Sequence, residues 1–200
     1  ARRELRVAKV VPTHEYTFGG PVLKDRLWFF TAGRLQTQSE GRTLVATNIP
    51  YTFERPTKRF EGKGTFSLTT GHRIQSAFTR IIDQQVNNTF NAAASMDVNS
   101  LETRTTPQDL FVVNYSGVIG RNLFVEALFS KRRFTFEGTG ATTTDLIDGT
   151  LMVDAARGLR YWSATFCGVC DTESRDNDDV YGKATYFLST SSAGSHNISV

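Results

Sequence analysis

The chain has 200 residues, 39% of them hydrophobic and 12% aromatic, and it contains 15 Phe. No run approaches the ~20 consecutive apolar residues of a membrane helix, which excludes a helical span. The net charge of +3, from 23 basic and 20 acidic residues, is nearly balanced and gives no indication of nucleic-acid binding. Because the chain begins at Ala1 without an initiator methionine, we interpret it as part of a longer protein, and the lack of a signal peptide at Ala1 then says little.

The first predicted element is a hairpin whose turn lies at Lys24-Asp25-Arg26. Gly19-Gly20-Pro21 leads into this turn, and glycine, proline and aspartate are the residues that tight turns favour. Strands are expected from Thr13 to Gly20 and from Leu27 to Gln36. The second strand opens with Leu27-Trp28-Phe29-Phe30, and aromatic rings beside a short turn are typical of a hairpin end at a membrane–water boundary.

A second hairpin shows the clearest alternation of apolar and polar residues. The polar segment from Thr37 to Thr57 is predicted to be a long loop. Strands are then predicted over Phe60–Thr69 and Arg73–Asp83, with a turn at Thr70-Gly71-His72 between them. Another long loop is expected from Asn87 to Thr106, which is rich in Asn, Ala, Ser and Thr.

Two more hairpins follow the same plan. Strands are predicted over Leu110–Ile119 and Leu123–Phe136, joined by a short turn. The longest loop is expected over 137–179. A last hairpin begins with Val180–Ser189, and its second strand starts at His196.

The alternation predicts two chemically different faces of one sheet. One face is expected to be convex and to contact lipid: Phe60, Phe66, Leu68, Phe111, Val113, Val125 and Phe129. The other face is expected to be concave and to line a wet lumen: Glu61, Lys63, Arg73 and Glu126.

These elements predict an all-β fold, an antiparallel up-and-down meander of about eight long strands that forms part of a transmembrane β-barrel. Short turns alternate with long loops, as they do at the two ends of outer-membrane barrels. Strand runs of roughly 10 to 14 residues exceed the usual ~5–6 of soluble sheets and match a tilted membrane strand. Since an open sheet edge cannot persist in lipid, we expect further strands to complete a larger barrel.

The stretch Phe18 to Phe30 resembles a signature found early in the barrel of TonB-dependent outer-membrane receptors. The likeness is greatest to the Oar-like type, which carries a carboxypeptidase-regulatory-like domain before its plug. The residues that carry the motif are Gly19, Gly20, Pro21, Lys24, Asp25, Leu27, Trp28, Phe29 and Phe30. Lys183–Ser189 followed by Gly194-Ser195-His196 resembles a further barrel hairpin of that group.

The resemblance implies that residues 1–200 are a partial receptor barrel, without plug, in the outer membrane of a Gram-negative bacterium. The parent protein would import an unidentified ligand with energy from the TonB complex. The implied partners are outer-membrane lipid, lipopolysaccharide, the protein's own plug domain and the TonB complex. No enzymatic activity, cofactor or nucleic-acid partner is implied.

Cys167 and Cys170 form the one candidate chemical motif. We expect them to be joined by a disulfide that braces an outer loop, because the cell surface is oxidising. Half a zinc site and a redox pair are the alternatives, but zinc would need two more ligands. The acidic residues within 171–179 are interpreted as a solvated loop, with calcium binding left open. Lys131-Arg132-Arg133 is interpreted as a solvated strand end, with contact to lipopolysaccharide phosphate as the alternative.

Two other classes of protein remain open at the level of sequence. One is a passive barrel, either porin-like or a small eight-stranded outer-membrane protein, which would lack a plug domain. The other is a soluble, carbohydrate-binding β-sandwich, which would need two buried faces. The charged face that holds Glu61 and Lys63 argues against a strand buried on both sides.

Overall fold

The computed structural model describes residues 10–88, 98, 101–138, 152–161, 172–192 and 194–200. These residues form strands joined by turns and irregular connections. The strands are β1 (Thr13–Leu23), β2 (Leu27–Thr43), β3 (Pro50–Thr69), β4 (His72–Asn88), β5 (Glu102–Ile119), β6 (Leu123–Phe136), β7 (Met152–Asp154), β8 (Leu159–Tyr161), β9 (Glu173–Ser174), β10 (Asn177–Thr190) and β11 (Gly194–Ser199).

Nine of the strands form one antiparallel sheet in the order β1-β2-β3-β4-β5-β6-β10-β11, with β9 paired to β6 beyond that path. A separate hairpin, β7–β8, lies in the connection between β6 and β10. Neighbouring strands follow one another along the chain, so the predicted all-β, antiparallel, up-and-down meander is confirmed. Among the described residues β1 and β11 are not paired with each other, and the sheet is not closed. No helix in this part of the chain is long and apolar enough to cross a membrane.

The predicted turns are confirmed, and their backbone conformations explain the residues that occupy them. Asp25 adopts a left-handed φ of 63°, which aspartate tolerates better than most residues. The Arg26 amide donates a hydrogen bond to the Leu23 carbonyl at 3.1 Å and closes this turn. Gly120 and Gly194 hold φ values of 64° and 82° in two later turns, where glycine bears no steric cost.

The loop predicted from Thr37 to Thr57 is wrong. Strands β2 and β3 are paired from Leu27 opposite Phe66 to Thr43 opposite Pro50, so most of the predicted loop belongs to these two strands. Only residues 44–49 connect them, and the Leu44 amide bonds to the Ile49 carbonyl at 2.9 Å.

The other two predicted loops are also shorter than expected. Strand β4 continues to Asn88 and β5 begins at Glu102, so the predicted loop from Asn87 to Thr106 extends too far at both ends. Within 137–179 the chain forms β7, β8 and β9, and β10 begins at Asn177 rather than at Val180.

These errors share a physical cause. In the extension of β2 and β3 the outward residues are mostly polar on both faces, so the period-two pattern that marks a half-buried strand is absent. The pairing is held by backbone hydrogen bonds and by side chains such as Arg42, which bonds Glu40 at 2.8 Å and lies 3.7 Å from the ring centre of Phe53. Pro56, a loop signal in the sequence, falls where the β3–β4 pairing is interrupted, so its missing N–H is tolerated.

The hairpins are staggered relative to one another. A continuous row of paired residues crosses the sheet through Leu27, Phe66, Ile74, Tyr115, Ala127 and Gly182. The segment between this row and the turn of each hairpin becomes longer along the chain. It comprises residues 24–26 in the first hairpin, 67–73 in the second and 116–126 in the third. The line of turns is therefore inclined to the pairing direction, which is the geometry of strands that tilt.

We predict that Gly19→Ala destabilises the sheet while Gly20→Ala does not. A Cβ at Gly19 would lie 2.8 Å from the carbonyl oxygen of Phe29 and 3.2 Å from the Cα of Phe30, so backbone would have to move. A Cβ at Gly20 would meet nothing within 4 Å. Overpacking of this kind costs about 1–3 kcal/mol. Urea unfolding of the intact protein in detergent measures both variants, and equal midpoints would contradict the close approach at Gly19.

Candidate functional site

The pairing registers sort the side chains of the sheet into two faces. The seven residues expected to share one face do so, since Phe60 and Phe66 lie in the same rows as Arg80 and Ile74, and those rows continue across the sheet. We call this side the apolar face. Its apolar members include Tyr16, Phe18, Leu27, Phe29, Leu35, Phe60, Phe66, Leu68, Ile74, Phe78, Ile82, Phe111, Val113, Tyr115, Val125, Phe129, Val180 and Tyr186.

The apolar face has no covering layer among the described residues. Phe18 remains 66% exposed and Val180 84% exposed. Other members of this face are also more than a third exposed: Tyr16, Phe60, Phe66, Leu68, Phe111, Phe129 and Tyr186. The buried hydrophobic side chains of the described residues are Leu44 and Leu101, and both lie in connections rather than within the sheet. Full burial of a large apolar side chain contributes about 1.5–3 kcal/mol of stabilising free energy, so we expect another surface to cover this face.

Aromatic rings fill the gaps that glycines leave in this face. The ring of Tyr16 lies over Gly33, and the ring of Tyr115 lies over Gly117. Tyr115 also shares a hydrogen bond of 2.7 Å with Nδ1 of His72, whose ring stacks on it. The hydroxyl of Tyr115 and Nδ1 of His72 therefore each have a hydrogen-bond partner near the turn end of the sheet, as interfacial aromatic side chains require.

The opposite face, which we call the polar face, carries Glu61, Lys63, Arg73 and Glu126, the four residues expected to line a lumen. Arg73 on β4 lies opposite Ser116 on β5, and Ser116 lies opposite Glu126 on β6. Glu126 in turn lies opposite Lys183 on β10, so charges of opposite sign lie near one another. Glu61 accepts a hydrogen bond of 3.1 Å from Arg59 within its own strand. The polar face can therefore be hydrated or can bind a polar partner.

Part of the receptor-like motif breaks the polarity of that face. Leu27 and Phe29 belong to the apolar face, where Phe18 packs edge-on against Phe29 with ring centres 5.4 Å apart. Trp28 and Phe30 project from the polar face, opposite Thr65 and Lys63, and are 37% and 41% exposed. Aromatic side chains beside this first turn thus lie on both sides of the sheet.

A bidentate ion pair joins β3 and β4 in their extension beyond the apolar rows. Arg55 donates from Nε and Nη2 to the two carboxylate oxygens of Asp83, each at 2.8 Å, and Thr57 adds a hydrogen bond at 3.2 Å. Partial burial opposes the charge on Asp83, but the hydrogen bonds and positive charge of Arg55, with help from Thr57, outweigh it and lower the pKa of Asp83. The pair clamps the two strands where apolar contacts are few.

Arg133 of the basic cluster at 131–133 is paired with acidic side chains. Arg133 donates to both carboxylate oxygens of Asp178, at 2.6 and 3.1 Å, and its Nε lies 3.5 Å from Asp176. Asp176 also accepts a hydrogen bond from the Phe134 amide at 3.1 Å. Acidic side chains predicted to form a solvated loop are thus used to anchor β10 to β6. In the described part of the chain no group of His, Cys, Asp and Glu is arranged to hold a metal ion.

Cys167 and Cys170 lie outside the described residues. Their disulfide therefore stays a prediction from the sequence.

Comparisons of the chain with family models, with curated proteins and with solved structures found no match. The class of molecule is therefore defined by geometry alone: an antiparallel meander with one apolar and one polar face, whose edge strands β1 and β11 are not paired with each other in the described part of the chain.

We predict that Asp83→Asn lowers stability at neutral pH and that the loss disappears in acid. Because the pKa of Asp83 is lower in the folded than in the unfolded chain, its stabilisation is present above the unfolded value of ~3.9 and is lost as the pH falls through the folded value. Unfolding midpoints of the intact protein measure this change when one is taken at neutral pH and the other in acid below the pKa of Asp83 in both the folded and the unfolded chain.

Glu40→Gln is the matched control, since within the described residues the side-chain hydrogen bonds of Glu40 go to Arg42 on its own strand and not to a neighbouring strand. An Asp83→Asn variant whose deficit is the same at both pH values would contradict the assigned role.

Proposed function

We propose that this chain is a membrane-spanning segment of an outer-membrane receptor barrel of the TonB-dependent class, and that its parent protein imports a ligand that its sequence does not identify. In this proposal the apolar face contacts lipid and the polar face lines the interior. The single observation that carries the proposal is that the apolar face is uncovered among the described residues, while the opposite face of the same strands carries charged side chains.

The lengths of the strands support the membrane assignment. A tilted strand needs ~9–11 residues to cross a bilayer, whereas β3 has 20 residues and β5 has 18. The apolar rows take up the part of β3 and β4 nearest their turn, and the remainder holds polar side chains and the Arg55–Asp83 pair. Such strands would cross the lipid and continue into water on the side opposite the short turns.

The unpaired edges and the stagger of the hairpins support a barrel. An open edge in lipid leaves backbone N–H and C=O groups without partners, at a cost of several kcal/mol each. Strands β1 and β11 each present one such edge. Tilted strands with a regular stagger are what closure requires, and a sheet with this many strands that has not closed is consistent with a large barrel.

The choice of a receptor over a passive barrel depends on the resemblance of the motif from Gly19 to Phe30. The exposed Trp28 and Phe30 on the polar face are compatible with a domain inside the barrel, because interior aromatic side chains would be covered there. A plug domain and TonB box encoded ahead of this segment would support the receptor, and a barrel without them would favour the porin-like alternative.

A soluble β-sandwich is the weaker alternative. It would require a second sheet packed about 10 Å from the apolar face, with side chains of both sheets interdigitated. Among the described residues the second sheet is the short β7–β8 hairpin, which is far too small to cover the apolar rows.

We predict that Val113→Arg impairs folding into phosphatidylcholine vesicles, while Asn114→Arg has little effect. Val113 lies on the apolar face between Ser76 and Phe129, and Asn114 lies next to it on the polar face. Arginine facing lipid near the bilayer midplane costs about 2–4 kcal/mol, whereas an arginine facing water does not. The fraction folded, followed by protease resistance during urea titration of the intact protein, measures both variants.

The pair is a strict test because the two positions are adjacent and a one-residue slip exchanges their faces. Equal effects of the two substitutions would contradict the assignment of the apolar face to lipid, as would a larger effect of Asn114→Arg.

A further inference from the structure

A cavity of about 440 Å³ lies on the apolar face at the level where apolar rows give way to charged ones. Leu35, Phe60 and Ile82 contribute apolar wall, and Tyr16 covers the side toward β1. All of them project from the apolar face by the pairing of β1 to β4. The cavity is therefore continuous with the surface that we assign to lipid.

Two of the four lysine and arginine residues that line the cavity, Lys58 and Arg80, project from the apolar face. The other two, Arg34 and Arg59, belong to the polar face and pair with Glu15 and Glu61. Lys58 lies directly opposite Ile82 on β4, and Arg80 lies opposite Phe60 on β3. Lys58 and Arg80 are thus diagonal neighbours on one face, with backbones ~7–8 Å apart. That separation lets a flexible lysine and an arginine reach the oxygens of a single phosphate.

Neither cation is fully engaged by carboxylates. Lys58 forms no ion pair with any of the described residues. The Nε of Arg80 lies 3.7 Å from Asp109, which is beyond hydrogen-bond distance, and the Arg80 side chain is 51% exposed. Arg133, the next arginine along that row, is instead held by Asp178 at 2.6 Å. Of the two arginines in this row, Arg80 at the cavity is therefore less engaged by carboxylates than Arg133.

We propose that this cavity binds a membrane lipid with a phosphate headgroup. The phosphate lies between Lys58 and Arg80, and an acyl chain packs against Leu35, Phe60 and Ile82. The inference rests on the proposed function, because only a lipid-facing sheet places this boundary at the depth of the headgroups. Apolar wall and paired cations in one cavity suit an amphiphile better than a free anion, which would gain nothing from the wall.

The test is lipid retention by the intact protein. The protein is purified in a zwitterionic detergent, titrated with lipid A or with phosphatidylcholine, and examined by native mass spectrometry. The test variant is Lys58→Gln with Arg80→Gln. The control is Lys63→Gln with Lys183→Gln, which removes the same charge from the polar face.

We expect the wild-type protein and the control to retain lipid A, and the test variant to bind it at least tenfold more weakly, since each cation near a membrane contributes about one order of magnitude or slightly less. Retention of phosphatidylcholine should be unchanged in all three, because a zwitterionic headgroup draws little on the cations. Equal retention of lipid A by test variant and wild type would overturn the cavity as the site.

Folding of all three into phosphatidylcholine vesicles is measured in parallel. A protein that folds there but retains no lipid A contradicts this inference alone, and a protein that does not fold there contradicts the proposed function as well.

Discussion

Large apolar side chains along one side of a single sheet must be removed from water, and the rest of the structure depends on that requirement. The described strands place Phe60, Phe66, Phe111 and Phe129 on one surface, and no second layer among the described residues covers them. A soluble domain would meet the requirement by stacking another sheet or helices on this face. A bilayer meets it without any further layer, and it then imposes its own conditions on the edges of the sheet and on charged side chains.

The two faces exist only because the register is exact over many strands. A slip by one residue would move every aromatic side chain of a strand to the other face. Local devices hold the register: the left-handed turn at Asp25, the close backbone approach at Gly19, the ring of Tyr16 over Gly33 on the neighbouring strand, and the hydrogen bond between Tyr115 and His72 across β4 and β5. Beyond the apolar rows, adjacent strands are joined by ion pairs such as Arg55–Asp83.

The sequence predicts the meander and its faces well where one side of a strand is apolar, because alternation is then visible. Phe60–Thr69 is an example, and its partner strand and turn are confirmed. The pattern fails over Thr37 to Thr57, where both faces are polar and pairing depends on backbone hydrogen bonds and arginine contacts that no periodicity reveals. The cavity was missed for a related reason. Lys58 and Arg80 are distant in sequence, and only the register of β3 on β4 makes them neighbours.

The most direct test of the account measures which medium each face of β5 contacts. Single cysteines at Val112, Val113 and Asn114 of the intact protein, with Cys167 and Cys170 replaced by serine, are spin-labelled after folding into phosphatidylcholine vesicles. Collision with oxygen, which concentrates in lipid, should be high at 113 and low at 112 and 114, and a water-soluble nickel reagent should give the reverse order. Uniform accessibility at the three positions, or access of the nickel reagent to 113, would contradict a lipid-facing apolar surface.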